Sequence, residues 1–543
     1  MKQTRKLLSL LLALAMVCAL AATAFAATVT VPSDGILKDH TFTAYQIFSG
    51  REERGILSDV QWGNGINSDN FLAALKADST YGNLFTNCTE AAAVADVLSA
   101  NNTNTALANA VAKLAYANLK EGTGTTLSAP ATELADGYYL IVDTTANVGE
   151  GGAYNASLLQ VVGNINIAVK TDAPTVEKKV LEGNTYQDAA DYNIGDAVPF
   201  RLIGSVPDMS RYDTYKYIFH DTLSTGLTLN AGSIKVYVAD DKAGTNKSDI
   251  TSSWTVGTGA NGETFTVSCN NIKAINSVSQ GKYIIVEYTA TLNQSAEIGL
   301  PGNSNKVYLE YSNKPDQSGS GENNTGNTPK DEVLVFTYEL DTTKISGTEY
   351  VKAPEGTLDK NKDENGYLLD DNGNKIPLKL DGAEFVLSRG TGDSKEYVKL
   401  DGNANVIGWT KNQSEATVLK SDVNGLFKVI GLDAGTYYLK ETKAPAGYNL
   451  IQSEIAVVIT ATIGAGNDGK TTLTNLEVTA DRIAGTGDVD SGIVGITIAN
   501  NKGSTLPETG GIGTTIFYTV GGILVLVAVV LLVTKKRMNG TEV

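Results

Sequence analysis

The sequence predicts a mainly β protein in which an N-terminal α+β domain is followed by two antiparallel β-sandwiches. Past residue 170, runs rich in Val, Ile, Thr and Tyr are broken by clusters of Gly, Asn and Asp. Breaks at about 8–12 residues are typical of sandwiches. Before that point, an Ala-rich stretch over 90–119 has helical spacing. A chain of 543 residues is also too long for one hydrophobic core.

The first domain is predicted over 27–168. Residues 41–48 and 137–142 are rich in β-branched and aromatic residues and predict strands. Between them, Ser68 and Asp69 are candidate caps of a first helix.

The two sandwiches are predicted over 169–325 and 331–501. The segment 314–330 is rich in Asn, Gly, Ser and Pro, which indicates a linker or loop. In the last domain, Asp-Asn-Gly-Asn at 371–374 is a strong turn signal.

The first 26 residues have the pattern of a secretory signal peptide. A positive region comes first, an apolar run follows over 7–20, and Ala24-Phe25-Ala26 forms a small-residue cleavage site. We therefore expect an exported mature chain that starts at about Ala27.

The C-terminal end carries a five-residue motif, Leu506-Pro507-Glu508-Thr509-Gly510. An apolar segment over 514–533 follows, and about 20 such residues suffice to cross a bilayer. The basic tail 534–543 is predicted to stay cytoplasmic. This order resembles the cell-wall sorting signal that Gram-positive sortases recognise. The resemblance implies cleavage between Thr509 and Gly510 by a sortase and transfer of Thr509 to an amine. The alternative is an ordinary transmembrane anchor.

Composition narrows the class of protein further. The chain has a net charge of −17, and removal of both predicted terminal signals leaves 37 basic and 59 acidic residues, a balance of −22. This charge disfavours nucleic acid or anionic lipid as a partner. Cys88 and Cys269 are far apart in the mature chain, which predicts no disulfide between them. With only two histidines, His40 and His220, a His-based hydrolase or zinc site is disfavoured, and we predict no cofactor or metal.

Two lysines lie on the apolar side of their predicted strands. Side chains alternate between faces of a strand, so Val176, Lys178 and Val180 share the core face. Near the end of the same domain, Asn305 shares a face with apolar neighbours. A lone buried ammonium is costly, so the pattern calls for a partner.

The last domain repeats this arrangement. Lys344 shares a face with Leu340 and Thr342 on an early strand, and Asn500 shares one with apolar residues on a late strand. Between them, Glu441 alternates with the solvent-facing Lys440 and is predicted to point inward.

A buried lysine, asparagine and carboxylic acid have the chemistry to form an amide. Burial lowers the pKa of a lysine, which frees the amine as a nucleophile. It raises the pKa of a carboxyl group, which stays protonated and polarises the Asn carbonyl. The fold replaces a collision with an effective molarity that reaches ~10⁵ M or more. Ammonia is released.

Two sets of residues each resemble a known domain. Segments 173–180, 219–228 and 303–307 together resemble the Lys-to-Asn isopeptide domain of Gram-positive backbone pilins. Residues 441–448 (ETKAPAGY) resemble the E-box of the immunoglobulin-like collagen-adhesin B-type domain. The resemblance implies two cross-links and two promoting acids, which are Lys178–Asn305 with Asp221 and Lys344–Asn500 with Glu441.

Several assignments stay open at this point. Lys179 competes with Lys178, Asn303 with Asn305, and Asn501 with Asn500. Lys178 could also extend to the edge of the sandwich, and a bulge would reverse the parity argument. Asp221, which precedes Thr-Leu-Ser, could simply hold a turn. The first domain offers no convincing Lys–Asn pair.

Backbone pilins also need an acceptor lysine for the Thr of the neighbouring subunit. The position that matches the family motif is Lys170, although Ala168-Val169 stands where Tyr-Pro is frequent and Thr171 where Asn is usual. The alternative is an ordinary exposed lysine at a domain junction. A head-to-tail contact of this kind builds open filaments.

The resemblance thus implies the major subunit of a sortase-assembled pilus, secreted and anchored to peptidoglycan. Its partners would be a sortase, identical subunits, and accessory or tip pilins. Two other classes remain, a monomeric wall-anchored adhesin and a wall-attached hydrolase with a carboxylate pair. The acidic run that starts at Asp359 has calcium-like spacing but has Glu364 where an EF-hand needs Gly, so a solvated hairpin is favoured.

Overall fold

A computed structural model of the chain describes residues 27–503, apart from 34, 55, 162–164, 170 and 317–323, together with a helix further on. The predicted signal peptide, Lys170 and the motif 506–510 lie outside the described residues.

The first domain is α+β, as predicted. Its strands are β1 (Ala27–Thr30), β2 (Phe42–Glu53), β3 (Ile56–Trp62), β4 (Thr125–Leu127), β5 (Ala131–Leu134), β6 (Gly137–Asp143), β7 (Leu158–Val161) and β8 (Ile165–Asn166). Its helices are α1 (Ser68–Ala77), α2 (Gly82–Phe85), α3 (Ala91–Ala100) and α4 (Thr105–Ala117). The larger sheet has the order β3-β2-β6-β7, and Phe71, Leu75 and Val111 bury the helices against it.

Two local predictions in this domain need correction. The residue at the N-cap position of α1 is Asn67, whose side chain makes no capping hydrogen bond, and Ser68 and Asp69 lie inside the first turn. The Ala-rich stretch is divided between α3 and α4, because Asn104 starts a new helix by accepting a hydrogen bond of 3.0 Å from the backbone N–H of Leu107.

The middle domain is a sandwich of two sheets. Its strands are β9 (Val176–Glu182), β10 (Thr185–Gln187), β11 (Ala189–Asp191), β12 (Ala197–Ser205), β13 (Tyr217–Leu223), β14 (Leu227–Leu229), β15 (Lys235–Ala239), β16 (Ser248–Asp249), β17 (Thr255–Thr258), β18 (Phe265–Cys269), β19 (Tyr283–Leu292), β20 (Asn303–Ser312), β21 (Thr325–Asn327) and β22 (Asp331–Phe336). One sheet has the order β10-β9-β12-β19-β15-β16 and the other β11-β22-β20-β13-β18-β17. Period-two burial along β13 and β20 supplies the inner faces.

The boundary between the two sandwiches differs from the predicted one. β22 was assigned to the last domain by the boundary at 331, yet it pairs with β20 in the register Asn303↔Val335 to Val307↔Asp331. The middle domain therefore runs to about Phe336. The segment 314–330, predicted as a linker or loop, contains the strand β21.

The last domain is the second sandwich. Its strands are β23 (Tyr338–Tyr350), β24 (Pro377–Lys379), β25 (Glu384–Arg389), β26 (Glu396–Leu400), β27 (Val406–Thr410), β28 (Leu419–Lys420), β29 (Leu426–Leu432), β30 (Gly435–Lys443), β31 (Ile455–Ala465), β32 (Thr471–Ala480), β33 (Ile483–Ala484), β34 (Thr486–Asp488) and β35 (Ile493–Asn500). One sheet has the order β24-β23-β35-β34 and the other β27-β26-β25-β30-β31-β32-β33. The first and last strands, β23 and β35, are parallel neighbours.

A helix, α5 (Ile512–Met538), follows the last domain, and its side chains are described over 518–532. In the part of the chain that the structure describes, no helix is long and apolar enough to cross a membrane, so the predicted span over 514–533 finds no support there. Cys88 and Cys269 are both buried and free, one in the first domain and one in the middle domain.

Candidate functional site

The interior of the middle domain contains a charged side chain. Lys178 lies on β9 and is fully buried, because strand alternation turns it toward the opposite sheet. Its neighbour Lys179 points the other way and forms a partly exposed ion pair with Asp188. Of the two candidates, Lys178 is therefore the lysine inside the core.

Lys178 meets a carboxyl group from the facing sheet. Its Nζ donates hydrogen bonds to Asp221 on β13 and, at 3.0 Å, to the hydroxyl of Tyr288 on β19. Asp221 is fully buried, so it is not a surface turn residue. The Lys178–Asp221 pair joins the two sheets through the core.

Asn305 completes this middle-domain site from β20. Its Nδ2 donates a hydrogen bond of 2.8 Å to the hydroxyl of Tyr288. The competing Asn303 is equally buried, but its side chain is bonded to the backbone of Glu297 and Val335. Parity alone could not separate the two asparagines, because residues 303 and 305 lie on the same face.

Tyr288 is a member of this site that the sequence reasoning missed. Its ring stacks on Phe200 at 5.4 Å and meets Phe265 edge-on at 5.1 Å, so the polar groups sit in an aromatic enclosure. The signal was present in β19, where alternation places Tyr288 on the same inner face as Val286 and Ala290. A tyrosine buried at such a position needs a hydrogen-bond partner for its hydroxyl.

Burial adjusts the acid–base properties of the middle-domain pair. Desolvation lowers the pKa of Lys178 to about 8, although Asp221 opposes the change. Desolvation also raises the pKa of Asp221 above its ordinary value. Both shifts favour the uncharged pair. Among the described residues, Asp221 Oδ1 and Asn305 Oδ1 have no hydrogen-bond partner.

The last domain places its lysine beside its asparagine directly. Lys344 on β23 and Asn500 on β35 are both buried, and the parallel register pairs Lys344 with Ile498. Lys344 Nζ donates hydrogen bonds to Asn500 Oδ1 and, at 3.0 Å, to the carbonyl of Ile498. The competing Asn501 is exposed.

Glu441 contacts the other end of the same amide. Asn500 Nδ2 donates to both carboxyl oxygens of Glu441 at 3.0 Å, and also to the carbonyl of Asn449 at 2.8 Å. The backbone N–H of Ile451 holds Glu441 in place at 2.7 Å. Burial lowers the pKa of Lys344 to about 8. Lys344, Asn500 and Glu441 form the last-domain site.

The predicted acceptor lysine, Lys170, lies between two described residues. Val169 and Thr171, on either side of Lys170, line a groove of about 630 Å³ where the first and middle domains meet. Thr171 donates a hydrogen bond of 2.7 Å to the carbonyl of Ala153.

The acidic run in the last domain holds turns. Asp363 accepts hydrogen bonds from the backbone N–H groups of Asn365 and Tyr367 and pairs with Lys375. Within the described ranges, no group of three or more His, Cys, Asp or Glu side chains is arranged to hold a metal ion.

Three segments of the chain match known protein families. Residues 194–315 match the Gram-positive pilin backbone subunit 2, Cna-B-like domain, and residues 368–477 match a prealbumin-like fold domain. Residues 498–540 match the LPXTG cell wall anchor motif. The trypsin-resistant surface T6 protein of Streptococcus pyogenes serotype M6 is 23% identical over 409 residues, which cover 69% of this chain and 71% of that protein.

Solved structures of pilins resemble the chain at low identity. The T6 backbone pilin of Streptococcus pyogenes serotype M6 covers 88% of this chain and 98% of its own, with 17% identity and a TM-score of 0.48. The major pilin SpaD of Corynebacterium diphtheriae covers 88% and 98%, with 16% identity and a TM-score of 0.44. The group B streptococcus pilus 2b backbone protein covers 61% and 99%, with 24% identity and a TM-score of 0.39.

The family matches describe the domains and the location of the chain. The two domain matches lie within the two sandwiches, and the anchor match begins in the last strand and extends past the 506–510 motif. The chain thus contains a Gram-positive pilin backbone domain, a prealbumin-like fold domain and an LPXTG cell wall anchor motif, and it is a secreted protein anchored at the cell wall.

Proposed function

We propose that this chain is the repeating subunit of a covalently polymerised pilus shaft. A sortase joins Thr509 of one subunit to Lys170 of the next, and the assembled fibre carries accessory or tip pilins away from the peptidoglycan. Each sandwich is reinforced by one internal isopeptide bond, Lys178–Asn305 in the middle domain and Lys344–Asn500 in the last. The chain is a substrate without turnover, since each internal bond forms once.

The amide chemistry follows from burial. Proton transfer from Lys178 to Asp221 gives a neutral amine and a neutral acid, which the dry core favours over two charges. The amine attacks the side-chain carbonyl carbon of its asparagine, the C–N bond to the amide nitrogen breaks, and ammonia leaves. A neutral amide then replaces the buried ammonium and the primary amide.

A single observation carries the proposal. In both sandwiches a fully buried lysine, a buried carboxyl group and a buried asparagine belong to one hydrogen-bonded network, although they come from strands far apart in sequence. In the middle domain, Tyr288 connects the asparagine to the other two groups. A buried lysine that only stabilised the core would need no asparagine. The free cysteines are consistent with this, because the exported fold is not strengthened by a disulfide among its described residues.

Intact mass tests the internal bonds. We expect the purified mature chain to weigh two ammonia molecules less than its sequence. Asn305→Ala and Asn500→Ala should each abolish one loss, whereas Lys179→Ala and Asn501→Ala should abolish none. A wild-type chain of full mass would end the proposal for internal bonds.

Polymer formation tests the role of Lys170. Surface extracts of cells that make the wild-type chain should give a ladder of high-mass species in SDS gels. Lys170→Ala should collapse this ladder to a single band, and the exposed Lys440→Ala should leave it unchanged. A single band in the wild type would instead favour a monomeric wall-anchored adhesin.

A further inference from the structure

The hydroxyl of Tyr288 lies at the centre of the middle-domain site. It accepts hydrogen bonds from Lys178 Nζ at 3.0 Å and from Asn305 Nδ2 at 2.8 Å, and it donates one to Asp221 Oδ2 at 2.9 Å. Tyr288 is itself buried, and its ring is fixed by Phe200 and Phe265. One oxygen atom therefore touches the nucleophile, the leaving group and the acid.

Amide formation requires a proton to travel between two nitrogens. The lysine nitrogen must lose a proton as it becomes an amide, and the asparagine nitrogen must gain one to leave as ammonia. The contacts of Asp221 are with Lys178 and Tyr288, and the described hydrogen bond of Asn305 Nδ2 goes to Tyr288. A group that reaches the leaving nitrogen is therefore needed besides the carboxyl.

We propose that Tyr288 is a catalytic residue that relays this proton, an inference that rests on the proposed isopeptide chemistry. As Lys178 Nζ bonds to the carbonyl carbon of Asn305, the phenol oxygen takes one proton from Nζ. The phenol gives one proton to Nδ2, the C–N bond breaks, and ammonia departs. The relay starts from the neutral amine and the neutral acid that the earlier proton transfer from Lys178 to Asp221 leaves. One proton moves from Nζ to Nδ2, Tyr288 and Asp221 both finish the relay protonated as they entered it, and no further reactant is consumed.

The last-domain site needs no such relay, because its carboxyl group lies at a different position. There, Glu441 contacts the leaving nitrogen directly, with both oxygens at 3.0 Å from Asn500 Nδ2. The carboxyl group can deliver the proton itself. The middle domain places its carboxyl at the nucleophile instead, and Tyr288 bridges the remaining gap.

The rate of bond formation tests the relay. The mature chain would be made in a cell-free reaction, quenched in acid at intervals, digested and weighed, so that each cross-linked peptide is followed separately. We expect Tyr288→Phe to slow the Lys178–Asn305 bond by about 10²-fold, in the range of general acid–base effects. The Lys344–Asn500 bond in the same molecules should form at the wild-type rate and serves as an internal clock.

Two controls separate the relay from a packing defect. Tyr217→Phe removes another fully buried hydroxyl of the same domain, one that donates to the carbonyl of Ser205, and should leave the rate unchanged. Thermal unfolding of Asn305→Ala with and without Tyr288→Phe compares the folds in the absence of the middle-domain bond and should give similar middle-domain transition temperatures.

The outcomes distinguish failure of the isopeptide proposal from failure of the proton relay alone. A wild-type middle domain that never loses ammonia overturns the isopeptide proposal and the relay together. A Tyr288→Phe chain that forms its bond within about twofold of the wild-type rate overturns the relay alone. Equal slowing by Tyr217→Phe, or a large loss of stability in the bond-free pair, would assign Tyr288 a packing role and also overturn the relay.

Discussion

The two sandwiches bring the same three residue types together in different ways. In the middle domain, Lys178 and Asn305 come from opposite sheets, the carboxyl contacts the lysine, and a tyrosine reaches the asparagine. In the last domain, Lys344 and Asn500 come from neighbouring parallel strands of one sheet and touch each other. The proposed amide chemistry would thus require proximity and burial, and it would accept more than one strand geometry.

The difference also matters for how force would pass through the chain. Asn500 ends the last strand of its domain, so a Lys344–Asn500 bond would carry load from the first strand straight to the exit. Asn305 lies near the start of β20, and two more strands follow before the middle domain ends. Residues 306–343 would stay in the load path, outside the protection of either bond.

The largest effect is expected under mechanical load. When the chain is pulled between Lys170→Cys and its C-terminal end, 306–343 should yield up to about 130 Å, at roughly 3.3–3.6 Å per residue. Asn305→Ala should add about 400 Å by the same rule, because 179–304 then joins the load path. Single-molecule force spectroscopy measures both lengths.

Asn501→Ala is the matched control for this experiment and should extend like the wild type. An extension of several hundred ångströms in the wild-type chain would show that a bond is missing and would remove the mechanical contrast between the domains.

The next effect concerns thermal stability. Each bond would close a loop of more than a hundred residues, and the chain-entropy estimate for a cross-link of that span is about 5 kcal/mol. Asn305→Ala should lower the unfolding transition of the middle domain and Asn500→Ala that of the last domain, by similar amounts in calorimetry. If only one variant lowers its transition, only one bond forms.

Substitution of the two buried acids should lower the free energy of unfolding by different amounts in the two domains. In a chain that already carries Asn305→Ala, Asp221→Ala removes one partner of the buried Lys178–Asp221 pair, at a cost of about 3–5 kcal/mol. In a chain that carries Asn500→Ala, Glu441→Ala mainly leaves the N–H of Ile451 unpaired, at a cost of about 1–3 kcal/mol. Urea unfolding measures both values. Equal costs would mean that Glu441 supports its lysine as closely as Asp221 does.

The smallest effect is a pH dependence confined to the middle domain. His220 lies on the outer face of β13 between Glu263 and Glu310, at 2.9 and 3.1 Å, and stacks on Tyr308. Burial opposes the charged imidazole, but hydrogen bonds to Glu310 and Glu263 outweigh it and raise the pKa of His220. Lys216 also faces Glu310.

Because the folded pKa is raised, this stabilisation is complete below the ordinary histidine pKa and is lost as the pH rises through the folded value. Calorimetry between pH 6 and pH 9 should show a decrease on the order of 2 °C in the middle-domain transition. His220→Gln should flatten that dependence. The last domain contains no histidine, so its transition should not respond to the substitution; a matching change there would assign the effect to another group.

The sequence by itself determined which side chains face inward. Period-two alternation is a local property of a strand, so it turned Lys178 and Asn305 inward in one domain and Lys344, Glu441 and Asn500 inward in the other before any pairing was known. Asp221 came only from the resemblance to backbone pilins. The signal-peptide pattern and the 506–510 motif are likewise contiguous in sequence, so they could be identified without the fold. The helix break at Asn104 was missed because a polar cap competes with helix propensity over only a few residues.

Only the tertiary structure decided which inward side chains meet. Asn303 and Asn305 share a face, and their different partners became visible only when β22 and β19 were placed beside them. The same holds for the domain boundary near Phe336, which depends on β22 pairing back with β20. The insertion of Tyr288 between lysine and asparagine likewise depends on strands distant in sequence. Strand pairing and register are set by the whole sandwich, because each strand buries its apolar face only against partners that the local pattern does not identify.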